Sequence, residues 1–411
     1  MYMQEIVRSL EAFREVNRAF PKAGPLQKWK SQGGKAIGWL CTYVPEEIIC
    51  AAGMLPIGIA ADAVKIGLGR AYAYVADSTC SFIRTCLQMG LEGYFDLLDG
   101  ISFCTVCQQV VVRPETCLEL MTPGPDGIAF CYPCDGCTGL SKIWAYYIPH
   151  IPVIYTLDVP HDISEKAIDF YHNEILHFRE ELEKAFSIKI TDDKLRKAIK
   201  VCNETRTLLK KLYEMRKADE PPITGAETLE VMNAATRMPK TEFNELLRNL
   251  LVEIEGRKAY GPGPRVRVML SGSPINDYYF VKEIERLGFA VVTDELCTSG
   301  KYALSSLVDE SSGPVEALAR RYMYQLPCPE MMPKEIRFKE VTTLAKDYKV
   351  QAAITLLIRY CNKAIWAQPY LTEELKVLGV PTLALDMEYG SSFTQHFRGR
   401  LEAFLEILEG I

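Results

Sequence analysis

Short apolar runs alternate with amphipathic ones over two separate stretches of this chain, and that alternation leaves few folds open. "GGKAIGWLCTYVPEEIICAAGMLPIGIAA", from Gly33, reads as strand, loop, helix, strand. A Pro precedes the helix, acidic residues fill its first turn, and Gly-x-x-Pro stops it. The helix "SFIRTCLQMGLEGYFDLL" and the strand "GISFC" follow, and "LSKIWAYYI" leads to the strand "IPVIYTLDVPH". From Ile163 to Ala259 no strand signal appears, only long charged amphipathic runs such as "AIDFYHNEILHFREELEKAF". "YGPGPR" then links to a second alternating stretch, which begins "RVRVMLSGSPINDYYFVKEIERLGFAVVTDELCTSGKY". "VQAAITLLIRYCNKAIWAQPYLTEELKVLGVPTLALDMEYG" repeats the scheme before a final helix. Such alternation predicts α/β architecture: two doubly wound parallel-sheet domains joined by a helical segment. The boundaries read 1–162, with a leading helix and a cysteine-rich repeat, then 163–260 and 261–411.

In open α/β sheets, ligands bind beyond the carboxyl ends of the strands. Here those ends carry sulfur, since Cys41, Cys107, Cys134, Cys297 and Cys361 each follow a predicted strand. The rest of the composition narrows what the sulfur is for. A net charge of -6 offers no basic footprint for nucleic acid. No stretch approaches the roughly 18 to 20 uninterrupted apolar residues of a membrane span. The opening twenty residues form a charged amphipathic helix rather than a secretory signal, so the expected location is cytoplasmic. In a reducing compartment, 14 cysteines point to metal binding or catalysis more than to disulfides. Cys202, inside a helical run, reads as a buried small hydrophobe.

One cysteine-tipped segment occurs twice. "LDGISFCTVCQQ" begins at Leu98 and "GPDGIAFCYPCDGCTG" at Gly124, and each matched residue is displaced by 27. Cys104/Cys107 and Cys131/Cys134 are two C-x2-C knuckles, a zinc-ribbon pattern. With Cys137 the second copy is also a C-x2-C-x2-C run of the ferredoxin kind, though without the closing Cys-Pro. Buried thiols are the third reading. Spacing alone leaves all three open.

The whole chain resembles the 2-hydroxyacyl-CoA dehydratase and benzoyl-CoA reductase family. The resemblance is carried by "GKAIGWLCTYVPEEIICAAGMLPIGI", "STCSFIRTCLQMGLEGYFDLLDGI", "PVIYTLDVPH", "LSGSPINDYYFVKEIERLGFAVVTDELCTSGKY", "EALARRYMYQLPCP" and "RYCNKAIWAQPYL", in order along the sequence. It implies a [4Fe-4S] cluster held by three cysteines: Cys80, one residue of the repeated element, and Cys361. Three thiolates leave one iron with an open position, as a catalytic zinc keeps its fourth. Counted forward from Cys80 the middle ligand is Cys107; counted back from "PVIYTLDVPH" it is Cys134, which alone has the expected following acid, Asp135. A branch of the family holds a double-cubane [8Fe-9S] cluster with six cysteines, and Cys41, Cys297 and Cys328 would complete that number, although "DELCTSGKY" is similar to the dehydratase form of its loop. The resemblance further implies a related second subunit or a homodimer, and a separate ATP-hydrolysing iron–sulfur activator. The implied substrate is an acyl-CoA, dehydrated through a ketyl radical or reduced as benzoyl-CoA is. The double-cubane branch would reduce small molecules without CoA. This chain has no G-x-x-x-x-G-K-[ST] loop of its own for ATP.

Among the remaining candidates, Glu46 and Glu47 open a helix beside Cys41. They are either acids favoured by a helix N-terminus or a proton shuttle near the cluster. Asp158 and His161 read as loop-positioning residues. Ser271, Ser273, Thr298 and Ser299 are placed to cap helices after strands, or less simply to meet CoA phosphates.

Overall fold

The computed structural model describes residues 7–59, 69–105, 136–261, 265–391 and 393–410. Its framework is two four-stranded sheets, parallel throughout. In the first, β1 (Ala36–Trp39), β2 (Leu55–Gly58), β3 (Gly100–Cys104) and β4 (Val153–Leu157) lie in the order β2-β1-β3-β4. In the second, β5 (Val266–Gly272), β6 (Phe289–Asp294), β7 (Ala352–Ile358) and β8 (Thr382–Met387) lie in the order β6-β5-β7-β8. These are the two α/β units that the alternation predicts. Strand β7, "AAITLLI", is buried at every position, because a parallel strand covered on both faces has no solvent side to alternate toward.

The strandless stretch is α6 (Glu165–Phe186), α7 (Asp192–Met215), α8 (Gly225–Ala235) and α9 (Lys240–Glu253), numbered after five helices of the first unit. Those five are α1 (Arg8–Ala19), α2 (Pro25–Ser31), α3 (Glu46–Ala51), α4 (Ser81–Leu91) and α5 (Gly136–Tyr147). The second unit adds α10 (Tyr278–Arg286), α11 (Gly300–Leu304), α12 (Pro314–Met323), α13 (Lys334–Asp347), α14 (Asn362–Val377) and α15 (Gln395–Glu409). Amphipathic α1 lays its apolar face on α8 and α9. No helix among the described residues is long and apolar enough to cross a membrane.

Helix α8 determines how the sheets face each other. Every one of its residues is buried, and a Thr224/Glu227 capping box closes its N-terminus. At one end Gly225 sits so close to Val291 of β6 that a Cβ there would lie 2.5 Å from the valine side chain. The Gly225 and Ala226 amides donate to the buried Glu285 carboxylate at 2.7 and 3.2 Å. At the other end Gly58 N–H, the last residue of β2, donates to Thr236 O at 2.9 Å. The edge strand of each sheet therefore leans on the same helix, and the loops beyond the strands turn toward one another. The segment after α11 crosses back to the first half: α12 packs on α6, and Asn203 donates to Val308 O at 2.8 Å.

Each sheet also winds in opposite directions from its first strand, with β2 on one side of β1 and β3 on the other, and likewise around β5. The gap between β1 and β3, and that between β5 and β7, are the switch points where open α/β sheets take ligands. At the second, Gly272 has φ +114° and a Cβ would stand 2.2 Å from Leu356 O. Gly272→Ala is therefore expected to lower stability by about 2 kcal/mol or more. Urea unfolding of the metal-free protein measures this, and an unchanged midpoint would show that β5 and β7 can separate without cost.

Candidate functional site

The two switch points open onto a single cavity lined from both halves of the chain. Trp39, Cys41, Cys80 and Phe82 come from the first half; Cys297, Cys361 and Lys363 come from the second. Cys41 lies two residues beyond β1, Cys361 three beyond β7 and Cys297 three beyond β6, as their positions after predicted strands require. The chain is strained at both switch points. Cys41 (φ +85°) and Tyr360 (φ +63°) are non-glycine residues in the left-handed region.

Cys80 and Cys361 are the N-cap residues of α4 and α14. What brings these two helix starts together is a contact between the halves. Tyr389 N–H donates to Ser81 Oγ at 2.9 Å, the Phe82 and Tyr389 rings meet edge-on at 5.0 Å, and Arg84 pairs with Glu388 at 3.0 Å. A hydrogen bond from the Cys80 thiol lowers Cys361 to about 6 against the upward push of burial, with help from the Lys363 charge and the Ser273 hydroxyl. A second thiol pair lies alongside: a hydrogen bond from Cys104 holds Cys41 at about 7, again against burial, with Lys363 and Lys301 assisting. Cys328, fully desolvated, is pushed up to about 11 even though the Lys363 ammonium lies 3.9 Å from its sulfur. Thiolates are the form that ligates metal, so two lowered thiols on facing loops are chemically poised.

This donor set fits an iron–sulfur group. Four thiols face one cavity whose described lining contains no carboxylate, and soft sulfur ligands select such clusters. Trp39 adds a second indication: its indole N–H is buried and lacks a hydrogen-bond partner among the described residues. The adjoining ring edge lies against Gly58, another residue of the cavity wall. A buried donor left unsatisfied costs about 1–3 kcal/mol, so an acceptor is expected there. Among the described residues, no three metal-ligating side chains converge as they would on a single ion.

The profile of the family described as "2-hydroxyglutaryl-CoA dehydratase, D-component" matches residues 41–116 and 114–408. The chain belongs to this family. It is 26% identical to the beta subunit of the (R)-phenyllactyl-CoA dehydratase of Clostridium sporogenes, over 94% of this chain and 96% of that one. It is 27% identical to the beta subunit of the (R)-2-hydroxyglutaryl-CoA dehydratase of Acidaminococcus fermentans, over 97% and 98%. To one of the subunits of the benzoyl-CoA reductase of Thauera aromatica it is 25% identical, over 93% and 94%. As a member of this dehydratase and reductase family, the chain is an enzyme subunit of the same type.

Of the residues singled out from this family member's sequence, Cys80 and Cys361 meet directly. Cys107, Cys131 and Cys134 lie outside the described residues, as does the side chain of Cys137. Cys202 is buried, as expected, with its thiol against Cys50. Asp158 positions its loop, accepting from Thr105 Oγ1 at 2.8 Å; at His161 it is the backbone carbonyl that accepts, from Met332 N–H at 2.6 Å. The reading of Ser271 and Ser273 as helix caps is corrected. Asp277 caps α10, while Ser271 donates to the buried Glu295 at 2.6 Å and Ser273 turns to Cys361. Ser299 stands at the N-cap of α11, but its hydroxyl bonds Asp294 at 3.1 Å instead of capping the helix. Cys104, Lys363 and Ser273 were missed as residues that touch the thiols. Cys104 ends β3 and Lys363 follows Cys361 by two positions, so the strand-end rule that found the others reaches both.

Glu46 and Glu47 do not line the cavity, and both are buried behind it. Glu46 pairs with Lys240 of α9 at 2.8 Å and accepts from Tyr302 of α11. Glu47 pairs with Arg206 of α7 and accepts from Tyr322 of α12 at 2.8 Å. Burial pushes the Glu47 carboxyl up, but Arg206 and Arg321 outweigh it and hold the group below its usual value of 4.5. Its stabilisation is therefore complete above the ordinary glutamate range and drains away as the pH falls below it. Glu47→Gln leaves Arg206 buried without a counter-charge, and should cost about 3–5 kcal/mol at pH 7. The deficit should shrink toward pH 4. Urea unfolding at both pH values checks this, and a deficit independent of pH would mean that Glu47 is not ionised in the fold.

Proposed function

We propose that this chain is the iron–sulfur subunit of an enzyme acting on acyl-CoA thioesters, with dehydration of a 2-hydroxyacyl-CoA to the enoyl-CoA as the first assignment and benzoyl-CoA-type ring reduction as the other chemistry of the family. One observation carries the reading: Cys80 and Cys361, brought from different sheets, meet at the cavity where both switch points open. With Cys134 or Cys107 as the third ligand they would hold a [4Fe-4S] cluster. Such a cluster, when bound, supplies low-potential one-electron chemistry and an iron with an open position.

The chain's own residues supply the surroundings. Trp39, Ile59, Phe82, Ile83 and Pro274 make the cavity apolar and exclude water. Ser273 fixes Cys361 by its hydrogen bond, and the Trp39 N–H is available to an oxygen or sulfur acceptor. Glu46 and Glu47 hold the wall behind Cys41 through their buried cations, and a proton-shuttle role would require either to release its partner. In the reaction we propose, the thioester carbonyl takes up one electron as a ketyl radical and expels the 2-hydroxyl. After proton loss the electron is returned, so it acts catalytically. A separate ATP-hydrolysing iron–sulfur activator would supply it, and a related second subunit or a second copy of this chain would complete the enzyme. The dehydratase relatives support this assembly, being named as beta subunits.

A second reading has its own support. Cys41 and Cys297 share the cavity with Cys80 and Cys361, and Cys328 reaches the same lysine. That is more sulfur than one cubane needs, and it favours a double-cubane [8Fe-9S] reductase acting without CoA. Anaerobic purification followed by iron, sulfide and zinc analysis separates the readings. About four irons per chain supports the first and about eight the second. Zinc without iron contradicts both. Cys361→Ser is expected to lose most of its iron and sulfide, and a variant that keeps both in full would refute the ligand assignment.

A further inference from the structure

Trp39 ends β1, and its indole forms part of the wall of the sulfur-lined cavity. The ring is buried, and its Nε1–H, out of reach of water, makes no hydrogen bond among the described residues. Indole nitrogen can only donate, so whatever satisfies it must be an acceptor. Two neighbours fix how the ring lies. Gly58, beside Trp39 on β2, gives it room, since a Cβ there would stand 3.2 Å from Cζ2, the atom next to the carbon that carries Nε1. Ser102, opposite Trp39 on β3, precedes Cys104 by two residues, so the indole and the Cys104 thiol share one face of the sheet. Cys41 meets that thiol. The wall also carries the Thr42, Thr236 and Thr298 hydroxyls, and the indole bonds none of them.

We propose that the Trp39 indole N–H hydrogen-bonds a sulfur of the thiolate-held group and raises the reduction potential of that group. This rests on the reading that these thiols hold an iron–sulfur cluster. A substrate oxygen would satisfy the donor only while substrate is bound, and would leave it orphaned in the resting enzyme at a cost of about 1–3 kcal/mol. A resident acceptor satisfies it throughout, and the thiols that share the cavity make that acceptor sulfur. The sign follows from the charge on the acceptor. Reduction makes the sulfurs more negative and strengthens a hydrogen bond already made to them, so the donor favours the reduced state.

The test uses the full chain, purified anaerobically, as wild type and as Trp39→Phe, which keeps an apolar ring and loses the N–H. Both are grown with nitrogen-15 at the indole nitrogen of the four tryptophans. Iron and sulfide are counted, hyperfine spectroscopy of the reduced cluster looks for coupling to the label, and a redox titration gives each midpoint potential. The wild type should show the nitrogen coupling, and Trp39→Phe should lack it. Trp39→Phe should also be harder to reduce, its reduced-to-oxidised ratio at the wild-type midpoint falling about threefold or more. A loaded wild type without the coupling overturns the proposal, as does a coupling that persists in Trp39→Phe. A fully loaded Trp39→Phe with the wild-type midpoint overturns it too. If Trp39→Phe fails to take up the cluster, the labelled wild type decides alone. A wild-type chain that takes up no iron would instead remove the reading beneath the proposal, and iron content tells the two failures apart.

Discussion

A parallel strand cannot return to its neighbour through a tight turn, so each sheet here is wound outward from its first strand and leaves a gap beside it. Two such gaps would be two separate sites if the sheets were independent. Helix α8, buried at every residue, makes them one, because the β2 edge and the β6 edge both rest on it. With the sheets held in this way, the residues that follow β1 and β7 have little choice of where to go. Cys41 and Tyr360 accept left-handed backbone at those points. The Ser81–Tyr389 and Arg84–Glu388 contacts then bring the starts of α4 and α14 together.

The buried charges follow from the same arrangement. Glu46, Glu47 and Glu295 are among the buried carboxylates, each against a cation from a different element. Buried pairs of this kind add little net stability compared with apolar packing, but breaking one is expensive. They tie α3 to α7 and α9, and the loop after β6 to α13. Lys363 lies on the cavity wall itself, its ammonium 3.9 Å from Cys328 Sγ.

Much of this was legible in the sequence because it is periodic. Strand-length apolar runs such as "AAITLLI" between amphipathic helices identify parallel sheets, and the rule about strand ends then picks out Cys41, Cys297 and Cys361. Cys80 came through the family resemblance, since nothing in its spacing marks it. What was not legible depends on tertiary contact. Glu46 and Glu47 open a helix, and acids there are normally solvated; their burial comes from Arg206 and Lys240, more than 150 residues away. Ser273 follows a strand as a cap would, but the extra turn to Asp277 frees its hydroxyl for Cys361. Sequence spacing pairs Cys104 with Cys107 in a knuckle, whereas in the fold its thiol meets Cys41, on the loop after the adjacent strand.

The central claim is that one iron–sulfur group is held where the two sheets converge, with Cys80 and Cys361 as ligands from opposite halves. An anaerobic crystal of the full chain, with diffraction recorded on either side of the iron absorption edge, addresses it directly. The account predicts an anomalous iron peak in the cavity, joined to the sulfurs of both Cys80 and Cys361 and to a third cysteine. Iron bound elsewhere, or a cavity in which Cys80 and Cys361 carry no iron while the chain retains its full complement, would contradict it.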